Sequence, residues 1–336
     1  EGHWYAIASS RELRSKPRGF MRFGERLVLW RDAAGAPRAL RNRCPHRGGQ
    51  LSAGRIRDDT LECPFHGFRF DARGQCQEMP CEGGRSIPGN YRVDSFELRE
   101  RDGWIWLWRG SMKSLEQPEQ LPDPPHCDWQ QGQPYGELRL QWSCHYTRAL
   151  EVQIDYAHLP FVHRNTIGRV LEVPEVHVEA EARPYGLHAH LTNHPKSADQ
   201  AIRVLYPNVW LNHFPSGTLL QAMFAPVDET HTATYFRVHH RVRVPVLSTI
   251  VGFVMAQASR LVVQQDRPFV ESQRPRSSDE AQGEKLTPAD AAVMLYRRLR
   301  RTYQGARACR DLRPLEPAVV SIEPPHARQS TKRSKA

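Results

Sequence analysis

"CPHRGGQLSAGRIRDDTLECPFHG", residues 44–67, places one cysteine and one histidine at each of its ends. Written as metal donors it reads Cys-x-His, sixteen residues, then Cys-x-x-His. Two cysteines and two histidines suit a structural zinc site. They also suit a [2Fe–2S] cluster held by two cysteines on one iron and two histidines on the other. Each short loop here supplies one thiolate and one imidazole, which is the division the cluster needs. The pairing therefore favours iron–sulfur, with Cys44, His46, Cys63 and His66 as ligands. A zinc-dependent binding module is the rival, told apart by its lack of colour. Gly48 and Gly67 close the two loops, where a missing side chain lets backbone approach inorganic sulfur. Pro45 and Pro64 stiffen the loop tips.

Around these loops, from Trp4 to about Arg109, the pattern is one of short strands and tight turns. "ERLVLWRDAAGAPRAL" (25–40) reads as a hairpin turning near Gly35. "GWIWLW" (103–108) alternates Trp104, Trp106 and Trp108 with Ile105 and Leu107, a strand with two apolar faces. "EQPEQLPDPPHCD" (116–128) has four prolines and no periodicity, and reads as an extended linker.

The chain of 336 residues is long enough for two domains, and at 39% apolar and 25% charged it reads as globular. Its net charge of +10 is concentrated at the end, where residues 296–336 hold 11 Lys/Arg against 3 Asp/Glu. A local basic patch argues against a nucleic-acid binder. It reads as a solvated helix and a disordered tail, with a dock for an acidic electron-transfer partner as the alternative. Seven cysteines, an odd number, without a secretion signal argue against a disulfide framework and make a cytoplasmic location the expectation. The apolar stretch 246–263 is interrupted by Gln257, Ser259 and Arg260, so it is read as a buried helix and not a membrane span.

Beyond the linker the pattern changes. Strands are expected over 203–214, 218–227 and 232–242, and helices over 246–274 and from Thr287, its N-cap, to Gly305. "QIDYAHLPFVH" (153–163) holds Asp155, His158 and His163. Asp155 and His158, three apart, would share a helix face. His163 would turn away unless Pro160 bends the helix. By themselves these residues fit a metal site or two ordinary histidines on an amphipathic helix. His213, His239 and His240 lack partners at ligand spacing and read as pocket or surface residues.

Together these motifs resemble the Rieske non-haem iron oxygenases. "RCPHRGGQLSAG" and "ECPFHGFRFDARGQC" are similar to the Rieske cluster loops. Gly49 and Phe65 stand where high-potential respiratory Rieske proteins carry an extra disulfide, so the low-potential type is implied. Cys76 and Cys81 are read as buried thiols. "DYAHLPFVH" resembles the family's Asp-x-x-His-x4-His motif. The resemblance implies mononuclear iron(II) on His158, His163 and a carboxylate from "VVQQDRPFVESQRP" (262–275), Asp266 before Glu271. Where many relatives have asparagine three residues before the motif aspartate, this chain has Val152.

The fold implied is α+β: an all-β Rieske [2Fe–2S] domain (1–115), the Pro-rich linker (116–130), a helix-grip (StAR-related/Bet v1-like) catalytic domain with a curved antiparallel sheet (131–315), and a basic tail (316–336). The function implied is a terminal oxygenase that uses O2 to hydroxylate or oxidatively demethylate a small, largely apolar molecule. The similarity is greatest to the single-subunit type, which includes vanillate and dicamba demethylases and chlorophyll-breakdown and saxitoxin-pathway oxygenases. With no G-x-G-x-x-G after a strand, NAD(P)H would serve only through a separate reductase, with or without a ferredoxin. The resemblance further implies a homotrimer, with Asp155 bridging His66 of a neighbour to His158. Trp210, Met223, Phe224 and Phe253 are the expected pocket residues. A Rieske electron-transfer protein without catalytic iron is the alternative.

Overall fold

A computed structural model describes residues 2–110, 118–126, 132–170, 176–184, 186–192, 201–214 and 217–305. The expected basic tail lies outside the described residues, as do Cys127 and Cys309. The N-terminal part is built from β1 (His3–Ser9), β2 (Arg18–Arg22), β3 (Glu25–Arg31), β4 (Pro37–Arg41), β5 (Arg55–Arg57), β6 (Thr60–Glu62), β7 (Arg69–Phe70), β8 (Cys76–Glu78), β9 (Ser95–Phe96), β10 (Leu98–Arg101) and β11 (Trp104–Arg109). They form three small sheets, ordered β1-β11-β10, β2-β3-β4-β9 and β5-β6-β7-β8. The β3–β4 hairpin turns as its sequence indicates: Gly35 takes a left-handed φ of 81°, and Asp32 accepts from the Ala36 amide at 2.8 Å. The ligand loops precede β5 and follow β6, over a core of Val28, Trp30, Leu40, Phe68 and Phe70.

The C-terminal part comprises β12 (Tyr135–Trp142), α1 (Tyr146–Ile154), α2 (Leu159–Val162), β13 (Val178–Arg183), β14 (Gly186–Leu191), β15 (Ala201–Leu205), β16 (Val209–His213), β17 (Leu219–Pro226), β18 (Thr232–His239), α3 (Pro245–Ser272) and α4 (Ala291–Gly305). Its seven strands form one sheet in the order β12-β18-β17-β16-β15-β14-β13, and every pairing is antiparallel. The molecule is α+β, as expected. The stretch read as one strand, 203–214, is instead the hairpin β15–β16, turning at a cis Tyr206–Pro207 bond. Proline cannot donate to a ladder, so the strand cannot run through it. Before α4, Thr287 and Asp290 form a capping box around Pro288.

The sheet is buried on both faces, and this arrangement positions everything else. One face carries Trp210, Phe224 and Phe236 toward α1, α3 and α4. The other carries Val209, Leu211, Met223 and Tyr235 against Trp104, Trp106 and Trp108 of β11. Ile105 and Leu107 point the opposite way, into the N-terminal core with Ile7, Phe20 and Leu29. Alternation along one strand thus ties the two parts together. Arg237 of β18 is clamped in this seam, with its guanidinium 3.2 Å from the Trp104 ring centroid, and it donates to Glu137 and to the Gly103 carbonyl, both at 2.7 Å.

The reading of 246–263 as a buried helix is wrong. α3 buries Gly252, Ala256, Val263, Asp266 and Val270, yet only 17% of its most apolar eighteen-residue window is buried. Val246, Phe253 and Leu261 are 72%, 65% and 72% exposed. Apolar content alone does not say which face points inward. Here the inward residues are small because the backbones meet: a Cβ on Gly136 of β12 would lie 1.7 Å from the Gly252 carbonyl oxygen. His240 is buried at the same junction, and its Nε2 lies 3.2 Å from where a Cβ on Gly252 would sit.

Candidate active site

The two cysteine–histidine loops are near copies of one another. The Gly48 amide donates to the Cys44 carbonyl (2.9 Å) and the Gly67 amide to the Cys63 carbonyl (3.0 Å). Both glycines have φ of 73°, a conformation that strains any residue with a Cβ. Cys44 and Cys63 are buried and free. Burial, with the neighbouring Cys63 adding to it, pushes the Cys44 thiol up to about 12. The two Nδ1 atoms of His46 and His66 lie 3.2 Å apart with their rings edge to face. Two sulfurs below and two imidazole nitrogens above form the donor set a [2Fe–2S] cluster requires, and its positive irons would offset the cost of ionising buried thiols. Of the two thiols read as buried non-ligands, Cys76 is buried and Cys81 is exposed.

A second set of donors is assembled by three segments. α1 ends at Ile154, and Asp155 is its C-cap with extended backbone. His158 is the N-cap of α2, with Pro160 in that helix's first turn. The expected single helix bent at Pro160 is therefore two helices with a break between Asp155 and His158, because proline is well accommodated at a helix start. α3 brings Asp266 to the break. His158 Nε2 and His163 Nε2 are 3.3 Å apart, and Asp266 Oδ1 lies 3.5 Å and 2.9 Å from them.

Asp266 Oδ1 is buried and accepts no hydrogen bond, so these atoms aim at a common point and not at one another. His163 Nδ1 pairs with Gln265 Oε1 at 2.8 Å, which leaves the Nε2 lone pair for a metal. Gln153 Nε2 donates to Asp266 Oδ2 at 3.3 Å. Burial works against a proton on His158, but Asp155 and Asp266 beside it prevail and raise its pKa to about 9. A second positive charge is what this pocket of carboxylates favours. The donor set of two imidazoles and one carboxylate fits mononuclear iron(II).

A Rieske [2Fe-2S] domain model matches residues 3–97, and a vanillate O-demethylase oxygenase C-terminal domain model matches residues 212–303. The chain belongs to the Rieske oxygenases. Among this family's members, the dicamba O-demethylase oxygenase component of Stenotrophomonas maltophilia is 36% identical over 166 residues, 48% of this chain and 47% of that one. The vanillate O-demethylase oxygenase subunit of Pseudomonas sp. (strain HR199 / DSM 7063) is 31% identical over 171 residues, 49% and 46% of the two chains. The chain thus spans about half the length of the curated relatives it matches. In fold it is similar to Pseudomonas putida CBB5 NdmA with caffeine, at a TM-score of 0.77 and 22% identity over 95% of this chain and 96% of that one.

The histidine–carboxylate set opens into an apolar cavity between β16 and α3, with Val152, Ile202, Phe236 and Val262 among its walls. Trp210 lines it. Three other expected pocket residues do not. Met223 sits on the opposite face of the sheet against the tryptophans, Phe224 packs within the core away from the cavity, and Phe253 points outward from α3. Residues 223 and 224 are neighbours on a strand, so only one could have faced the cavity. Glu271 is engaged elsewhere, by the Ser143 amide (2.7 Å) and Arg267 (2.8 Å).

Asp155 Oδ1 accepts from the Ala157 amide at 2.7 Å, while Oδ2 lies 3.6 Å from His158 Nδ1, beyond hydrogen-bond range. The sequence reading missed Gln153, Gln265 and Asn212. Gln265 had a signal, because it immediately precedes the carboxylate in "QQD".

Proposed function

We propose that this chain is the terminal component of a multicomponent oxygenase. Bound at the sites described, the Rieske cluster would relay electrons from a separate reductase, with or without a ferredoxin, and mononuclear iron(II) would activate O2 for hydroxylation or oxidative demethylation of a small, largely apolar molecule. The observation that carries this reading is the meeting of His158, His163 and Asp266 at the mouth of an apolar cavity, in a chain that also holds the cysteine–histidine loops. NAD(P)H would act only through the reductase.

The residues divide the work. Cys44, His46, Cys63 and His66 hold the cluster, and His158, His163 and Asp266 hold the iron. Gln265 fixes the tautomer of His163, and Gln153 steadies Asp266. Val152, Phe236 and Val262 keep bulk water from the cavity. Asp155 joins His158 to His66 of a neighbouring copy in a homotrimer. Supporting this, His46 is exposed and His66 partly so, and among the described residues no hydrogen bond or ion pair joins either to Asp155 of its own chain. The division into 1–115, 116–130, 131–315 and 316–336 belongs to the same reading. A soluble, cytoplasmic setting suits the free thiols among the described residues.

Iron content and the cluster's absorption, measured together, provide the test. The purified chain should carry iron beyond the cluster's pair. Asp266→Ala should lose that extra iron while the Rieske absorption persists, since two histidines alone hold iron(II) weakly. Glu271→Ala should keep it. If Glu271→Ala empties the site and Asp266→Ala does not, the carboxylate is wrongly assigned. A chain with cluster iron only would be an electron carrier.

A further inference from the structure

Two residues in one wall of the cavity carry polar atoms with nothing to bond. Trp210 and Asn212 are two apart on β16, so their side chains leave the same face of the sheet. Both line the cavity that His158, His163 and Asp266 share. They are 4% and 8% exposed, and the Trp210 Nε1 and Asn212 Oδ1 atoms are buried with no hydrogen-bond partner among the described residues. The strands on either side offer none. Directly opposite Asn212 are Ile202 and Leu220, and opposite Trp210 are Val204 and Ala222.

A buried amide oxygen left unpaired destabilises a fold, and leucine would fill the same space without that cost. Native structures seldom leave such groups unanswered, so a bound molecule is the natural source of the missing hydrogen. The charge of the lining narrows the choice. Among its described residues there is no lysine or arginine, while Asp155 and Asp266 are present. Away from the iron ligands, a carboxylate or sulfonate would find no cationic side chain to meet it.

We propose that Trp210 and Asn212 are a specificity pair for a small, uncharged, mainly apolar substrate. The substrate presents a hydrogen-bond acceptor to the Trp210 N–H and an O–H or N–H donor to Asn212 Oδ1. Same-face neighbours on a strand are about 7 Å apart, so donor and acceptor lie at opposite ends of one ring and not on adjacent atoms. The assignment rests on the oxygenase reading only in taking this cavity as the substrate site.

The test is calorimetric titration of the full-length protein with three matched probes: 4-methoxyphenol, 1,4-dimethoxybenzene and 4-methoxybenzoate. The phenol should bind about tenfold or more tightly than either of the others, the ratio set by one buried hydrogen bond. Asn212→Leu should bring the phenol down to the dimethoxy compound's affinity. Trp210→Phe, which keeps a ring and removes the N–H, should weaken both neutral ethers severalfold. Without any probe, Asn212→Leu should unfold at a higher temperature than the wild type, since it deletes an unpaired buried amide. Equal affinities, tightest binding by the carboxylate, or no binding by any probe overturns the proposal. So does a lower unfolding temperature for Asn212→Leu, which would mean that the fold itself satisfies the amide. Failure of the oxygenase reading would look different: the expected affinity order, but no probe-dependent oxygen uptake by the iron-loaded, pre-reduced protein.

Discussion

Asp155 illustrates how much one residue's placement depends on the backbone around it. Its Oδ1 is held by the Ala157 amide in an Asx-type turn that closes the break between α1 and α2. That leaves Oδ2, 3.6 Å from His158, to face both its own histidine and anything that docks against this loop. A carboxylate there can accept from two imidazole N–H groups at once, and charge-assisted bonds are the stronger kind. If its only task were to hold the turn, asparagine would serve nearly as well. We therefore expect Asp155→Asn to leave both metal sites occupied and substrate binding intact while nearly abolishing turnover. The measurement is single-turnover re-oxidation of the pre-reduced Rieske cluster with substrate and dioxygen present. Re-oxidation at the wild-type rate would remove Asp155 from the electron path.

At the scale of elements, two junctions hold buried neutral histidines. His145 is the residue before α1, with Nδ1 2.7 Å from Thr147 Oγ1, and His239 ends β18. Burial lowers the pKa of His145 to about 4, with Arg300 adding to it. Burial likewise lowers His239 to about 4, with Arg237 adding to it. Their unfolded value is about 6.5, so the unfolded chain takes up protons first as pH falls. Their contribution to stability should be full above about pH 6.5, decline between there and about pH 4, and level off below. By linkage the loss is on the order of 3 kcal/mol for each histidine. Denaturant unfolding across this range should show the decline. A His145→Gln, His239→Gln double variant should show a flatter profile than wild type. Equal slopes would mean that neither histidine is kept neutral by its junction.

An ionic lattice centred on the buried Arg148 and Glu151 braces α1. Arg148, 1% exposed in its side chain, reaches Glu151 (3.1 Å) and Glu284 (2.6 Å), and Arg297 of α4 binds the same two carboxylates. This lattice fixes the helix whose end presents Asp155 and the α2 turn. Such networks specify geometry more than they add stability, because desolvation offsets much of the attraction.

For the whole molecule, the seven-stranded sheet acts as a partition. Its tryptophan-facing side is sealed by the N-terminal sheet, and its other side forms the cavity wall, so a residue's place in the strand decides whether it serves the seam or the substrate. The outer face of α3 leaves Val246, Leu247, Ile250 and Phe253 exposed, and clustered exposed apolar side chains are the kind of surface that marks an interaction site. That surface and the exposed cluster histidines both suit an assembly. Light scattering on the purified protein should give three times the 38.6 kDa chain mass. A monomer in dilute solution that retains full turnover would dismiss both the trimer and the inter-subunit bridge.

Much of this was legible in the chain alone because the chemistry of metal sites is written in local spacing. Cys44, His46, Cys63 and His66 lie in two short loops whose geometry is closed by their own glycines, so nothing distant is needed to arrange them. The alternation of "GWIWLW" follows from strand geometry, whereas His158, His163 and the "QQD" carboxylate took their reading from the resemblance to the Rieske oxygenases and not from spacing alone. What the chain could not disclose are the facts that depend on which surface meets which. Whether Met223 or Trp210 faces the cavity depends on the register of β16 and β17 and on which side the N-terminal sheet covers. Which face of α3 turns inward depends on Gly136 meeting Gly252. That Asn212 lacks a partner depends on Ile202 and Leu220 lying opposite it. Local bonding fixes the first kind of fact, whereas long-range packing, with its many near-equal alternatives for an apolar side chain, decides the second.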